Sequence, residues 1–89
     1  MQAAAFEDTL GAILVEAIQW CAKREGRTFL AERRGRLVCF SLRARVGERL
    51  FAYGHDCHVD EIEDETTSLA AWEWLHKATR HIEQAEAGA

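Results

Sequence analysis

The pattern of apolar and polar positions divides the chain into a helix, three strands and a second helix. In the first segment apolar residues recur three and four positions apart, which places them along one stripe of a helix. This spacing predicts a helix over residues 6–24. The stripe consists of Phe6, Leu10, Ile13, Leu14, Ala17, Ile18 and Cys21. Gly26 follows it and suits the left-handed conformation in which many helices end.

Residues 28–54 change to a period of two, which is typical of strands. In the central run "RLVCFSLRARV", one face is apolar throughout, and the other face becomes polar toward the end. The apolar face consists of Val38, Phe40, Leu42, Ala44 and Val46. Short connections join this run to "RTFLAER" before it and to "RLFAYG" after it. Since only antiparallel neighbours can be joined by so few residues, we expect a three-stranded antiparallel meander.

A second helix is predicted over residues 66–86, again from spacings of three and four. Its apolar stripe consists of Ala71, Trp74, Leu75, Ala78, Ile82 and Ala85, with Trp72 on one shoulder. Each helix has one apolar stripe and the sheet has one clearly apolar face, so both helices are expected on that face. The prediction is an α+β fold of two layers, formed by a single domain of residues 1–89 with frayed ends.

Charge is distributed unevenly along the chain. Residues 23–49 hold nine of the eleven Lys and Arg residues but three of the fifteen acids, so this segment carries +6 and the remainder carries −10. Arginine is favoured in phosphate contacts, so an RNA- or DNA-binding sheet is an alternative function. The candidate residues are Arg33, Arg34, Arg36, Arg43, Arg45 and Arg49. The net charge of −4 argues against a general nucleic-acid binder.

The order of elements is similar to that of double-stranded RNA-binding domains. Members of that family grip phosphates with a basic cluster at the start of the second helix. Here the corresponding stretch is "DEIEDETTSLAAW", which is strongly acidic. The resemblance is therefore limited to topology.

The stretch "GHDCHVDEIEDE" at residues 54–65 contains the densest set of chemically active side chains. His55, Cys57 and His58 offer zinc-binding atoms, but structural zinc sites use separated ligand pairs, and a second pair does not follow here. A cysteine beside a histidine is also a candidate nucleophile, yet neighbours in sequence seldom have the geometry for catalysis. We therefore expect neither a metal nor another cofactor, and no enzymatic activity.

The same stretch has more carboxylates than helix capping requires. They are Asp60, Glu61, Glu63, Asp64 and Glu65. Trp72 and Trp74 are two apart on a helix, so at least one is expected to leave the core and to be available for binding. We therefore expect a protein-binding module, an inhibitor or adaptor, that contacts a basic partner through these acids and exposed aromatics. A phage-type blocker of a host defence complex, such as a CRISPR effector, is one example.

The cysteine count and the absence of long apolar runs favour a cytoplasmic protein that has no contact with membranes. Three cysteines cannot all pair within the chain, and no apolar run reaches the roughly 18–20 residues that span a bilayer. A chain of 89 residues has a thin core, and it carries segments of opposite charge. Both features favour a homodimer.

Overall fold

All five predicted elements are present in the predicted order. A computed structural model describes residues 2–62 and 64–88, and within these ranges it describes side chains from residue 9 onward. The elements are α1 (Gln2–Ala22), β1 (Arg27–Arg34), β2 (Leu37–Val46), β3 (Arg49–His58) and α2 (Glu65–Gly88). The strands form one antiparallel sheet in the order β1-β2-β3, which confirms the predicted α+β arrangement. Phe6, predicted in the first apolar stripe, lies outside the described side chains.

The largest difference from the predicted boundaries is at the end of β3. This strand continues to His58, four residues beyond the predicted end of the sheet, because "GHDCH" pairs with β2 along its full length. The first helix spans residues 2–22 rather than 6–24. The second spans 65–88 rather than 66–86, so helical structure extends into the segment where fraying was expected. Among the described residues, neither helix has both the length and the apolar character needed to cross a lipid bilayer.

The core lies between the two helices and one face of the sheet. All five residues of the apolar face of β2 are buried, as the alternation predicts. From the helices, the buried side chains are Ile13, Ala17, Trp20, Ala71, Leu75, Ala78, Ile82 and Glu86. The first helix packs mainly on β1, and the second packs on β2 and β3. Since neither helix covers the opposite face of the sheet, that face is open.

Ile18 is an exception to the predicted stripe of α1. Its side chain is 58% exposed, so the prediction that it belongs to the core is wrong. The buried positions Ala17 and Trp20 are three apart, whereas Ile18 is rotated by about 100° from Ala17 around the helix axis. Ile18 therefore lies on the outer side of α1 with Val15, which is 54% exposed.

Candidate binding surfaces

The acidic segment between β3 and α2 is a compact turn with a fixed backbone. The amide of Val59 donates to the carbonyl of Arg36 at 2.8 Å, and the amide of Asp64 donates to the carbonyl of Glu61 at 2.9 Å. Ile62, the apolar residue in the middle of this segment, is completely buried in the core. The backbone at Glu61 and Asp64 is therefore anchored relative to the sheet and α2.

Most of the described carboxylates in this turn have no cationic partner within the chain. Asp60 forms an ion pair with Arg36, and both side chains are mostly exposed. Glu61, Asp64 and Glu65 are exposed, and none of them takes part in an ion pair in the part of the chain that the structure describes. Glu63 lies outside the described residues. The charges that remain unpaired face solvent, where a basic surface would meet them.

An exposed leucine follows these carboxylates in the sequence, four residues after Glu65. Leu69 lies one turn after the start of α2, and its side chain is 60% exposed. It lines an open depression of about 580 Å³, together with Thr66, Ala70, Glu73 and His76. The spacing of apolar residues in the sequence does not identify Leu69 as a candidate binding residue. Its exposure becomes evident only once α2 is placed on the sheet. We call Asp60, Glu61, Asp64, Glu65 and Leu69 the acidic face.

The two candidate tryptophans lie at the edge of the core. Both are half-buried and pack against the buried core without belonging to it, and their role in binding a partner stays a prediction. Trp74 stacks on Phe40 and His55, with ring centroids 6.0 and 5.6 Å away. Trp72 lies 5.5 Å from the ring of His76. The imidazole of His76 in turn contacts Glu16 of α1 at 2.9 Å, so this cluster also joins the two helices.

The candidate metal ligands are divided between the two faces of the sheet. His55 and Cys57 alternate with His58 along β3, so they face the helices while His58 faces the open side. Burial is the main reason that the pKa of the Cys57 thiol is raised, and nearby acids raise it further. Within the described ranges, no three His, Cys, Asp or Glu side chains are grouped so that they could hold a metal ion.

The six candidate arginines do not form one surface either. Arg33 and Arg49 lie on the face that carries the helices, and the guanidinium of Arg49 lies 4.8 Å from the ring of Phe51. Arg34 pairs with Glu32 at 2.9 Å, while Arg36 pairs with Asp60. Only Arg43 and Arg45 are on the open face and without an ion-pair partner among the described residues.

The open face of the sheet consists of cross-strand rows of exposed and half-exposed side chains. The middle row is Leu30–Ser41–Gly54, with Thr28–Arg43–Ala52 on one side and Glu32–Cys39–Asp56 on the other. Leu30 is 56% exposed, and Leu50, at the same end as the free arginines, is 72% exposed. No side chain on this face is buried among the described residues. It therefore presents apolar and charged groups together to solvent.

Comparison with known proteins gives no further guide to these surfaces. No family model, curated protein or solved structure matches this chain. The acidic face and the open face are therefore the two candidate binding surfaces of this chain.

Proposed function

We propose that this chain is a small cytoplasmic, non-enzymatic protein-binding module, an inhibitor or adaptor that binds a basic partner through the acidic face. The observation that supports this function best is the exposure of Leu69 on the same helix as Glu65, an exposed acid that has no ion-pair partner among the described residues. A single exposed leucine is ordinary, but an exposed leucine that follows a run of exposed, unpaired acids offers both an apolar contact and charges of one sign.

The charges and the leucine would contribute in different ways. Solvent-exposed ion pairs stabilise a complex by only about 0–1 kcal/mol each, but a field of one sign accelerates encounter with a basic surface. Burying a leucine side chain contributes about 1.5–3 kcal/mol. Leu69 would therefore supply affinity, while Glu61, Asp64 and Glu65 would supply speed and selectivity for basic partners.

The non-enzymatic part of the proposal is supported by the state of the thiols. Thiolate is the reactive form of cysteine, and catalytic cysteines have lowered pKa values. Here burial raises the pKa of both Cys57 and Cys21, and the pKa of Cys39 is raised by burial and by Asp56. The raised pKa values favour the protonated form of these thiols, which is the less reactive one.

The experiment compares two variants of the acidic face with a control of the same charge change. Glu61→Lys/Asp64→Lys reverses two unpaired acids, Leu69→Ser removes the apolar group, and Glu25→Lys/Glu48→Lys reverses two exposed acids elsewhere. Proteins retained by the immobilised wild type from a lysate of the source organism are identified by mass. Each is then purified and titrated against all four chains at low and moderate salt.

We expect a partner with a basic surface whose affinity falls at least about tenfold in both acidic-face variants and is unchanged in the control. Higher salt should weaken the wild-type complex. Equal loss in the control variant, or undiminished binding by both acidic-face variants, would overturn the proposal.

Nucleic-acid binding is the second candidate, and the unpaired state of Arg43 and Arg45 favours it. The aromatic side chains of the sheet do not, because Phe29, Phe51 and Tyr53 lie on the face that carries the helices and so cannot stack on bases from the open face. Gel shifts with single- and double-stranded RNA and DNA at low salt test this candidate. A shift that Arg43→Ala/Arg45→Ala removes would support it, and no shift would eliminate it.

A further inference from the structure

The open face of the sheet has a composition that suits contact with another sheet. Leu30 and Leu50 are large, apolar and mostly exposed. The middle row adds Ser41 and Gly54, which are small or lack a side chain, and Ala52 stands beside them. Small central residues allow a second sheet to approach to the roughly 10 Å spacing of packed sheets, and the leucines would then be covered.

The charges on this face are ordered along the strands. Arg43 and Arg45 lie toward one end, and neither has an ion-pair partner in the described part of the chain. Toward the other end lies the row that contains Glu32 and Asp56. Beyond it lies the Arg34–Leu37–His58 row, where Arg34 already pairs with Glu32, so Asp56 is the acid left unpaired at this end among the described residues. The face is therefore positive at one end and weakly negative at the other, with the middle row between them.

We propose that a second copy of this chain covers the open face, with the two sheets packed face to face about a two-fold axis that crosses the strands near the middle row. This rotation reverses the strand direction, so Arg43 of each copy lies over the Glu32–Cys39–Asp56 row of the other, and Arg45 lies over the Arg34–Leu37–His58 row beyond it. An axis parallel to the strands would instead oppose arginine to arginine. The charges thus select the antiparallel arrangement, and its symmetry closes the assembly at two copies.

The size of the face sets the strength of this dimer. Strands of 8, 10 and 10 residues, at about 3.3 Å per residue and about 4.8 Å apart, present roughly 440 Å² per copy, or roughly 900 Å² for the pair. Stable interfaces bury about 1,200–2,000 Å², and weaker ones fall below that range. We therefore expect a reversible dimer with a dissociation constant of about 1–100 µM. The dimer leaves the acidic face free, so it does not depend on the proposed function.

The test uses two variants whose charges are complementary to each other. Arg43→Glu/Arg45→Glu makes both ends of the face acidic, and Glu32→Lys/Asp56→Lys makes both ends basic. Each variant alone should dimerise at least about tenfold more weakly than the wild type, because like charges then oppose each other across the axis. An equimolar mixture of the two should form a heterodimer. Sedimentation equilibrium from about 1 µM to 1 mM measures this, and far-UV circular dichroism verifies the fold.

Two control variants distinguish the open face from the outer surfaces of the helices. Lys77→Glu/Arg80→Glu makes the same charge change on the exposed side of α2 and should dimerise like the wild type. Val15→Ser/Ile18→Ser alters the outer side of α1 and should also dimerise normally. A wild type that is monomeric at all concentrations, a mixture that fails to associate, or a dimer abolished only by the α1 variant would overturn the proposal.

Discussion

Arg27 at the start of β1 and Glu86 near the end of α2 form a buried ion pair with two hydrogen bonds. The guanidinium donates from Nε to Oε2 at 2.9 Å and from Nη2 to Oε1 at 2.5 Å, and the side chains are only 7% and 5% exposed. Arg27 also donates to the carbonyl of Trp20 at 2.7 Å and lies 3.8 Å over its indole ring. One arginine therefore joins α1, β1 and α2 at one end of the molecule.

Replacement of Glu86 by alanine should destabilise the fold strongly. Arg27 would keep its buried charge and lose its carboxylate partner, which costs about 3 kcal/mol when one member of a buried pair is removed. Denaturation by urea measures the change in the free energy of unfolding. Glu73→Ala, on the exposed side of the same helix, is the control and should cost less than about 0.5 kcal/mol. Equal losses in both variants would show that the pair has no special role.

The same pair should make stability depend on acid pH. Hydrogen bonds from Arg27 hold the pKa of Glu86 below its ordinary value, although burial acts in the opposite direction. A carboxyl with a lowered pKa in the folded state contributes stability above its unfolded-state pKa, and this contribution is lost as the pH falls through the folded-state pKa. The stability difference between wild type and Glu86→Gln should therefore shrink between about pH 5 and pH 3. A difference that stays constant over this range would contradict the assignment.

Ile62 should be essential to the shape of the acidic face. Its side chain is completely buried, so Ile62→Ala should lower the free energy of unfolding by about 2–4 kcal/mol, and Ile62→Val by about 0.5–1.5 kcal/mol. Leu69→Ala, in the exposed part of the same face, should have little effect on stability. Urea denaturation of the three variants gives the comparison. A loss for Leu69→Ala as large as that for Ile62→Ala would show that the two positions had been assigned the wrong roles.

Periodicity in the sequence was sufficient to predict the five elements and to predict which face of the sheet is buried. The alternation from Val38 to Val46 reports burial directly, because one side of a strand either meets a core or does not. The end of β3 was missed because histidine and aspartate are uncommon in strands, although His55 and Cys57 continue the alternation.

The features that define the two surfaces depend on contacts distant in sequence. Glu86 is buried only because Arg27, 59 residues earlier, is placed beside it. Ile62 looks like an isolated apolar residue among acids, yet it completes the core. Ile18 and Leu69 are exposed because they lie on the sides of their helices that face away from the core. Which residues meet across the core follows from packing between segments distant in sequence.

The thiol of Cys39 should react slowly with alkylating agents, and Asp56 should be one reason. Burial is the main reason that the pKa of this thiol is raised, and the hydrogen bond and negative charge of Asp56 raise it further. Because thiolate is the reactive form, Asp56→Asn should increase the alkylation rate of Cys39 by about 2–5-fold at pH 7.5.

Iodoacetamide labelling followed by peptide mass analysis resolves Cys39 from Cys57, which is buried on the other face and should remain slow. The control Asp60→Asn removes an acid that does not act on this thiol, so an equal acceleration there would contradict the role of Asp56. The comparison should be made at low protein concentration, since a dimer through the open face would itself shield Cys39.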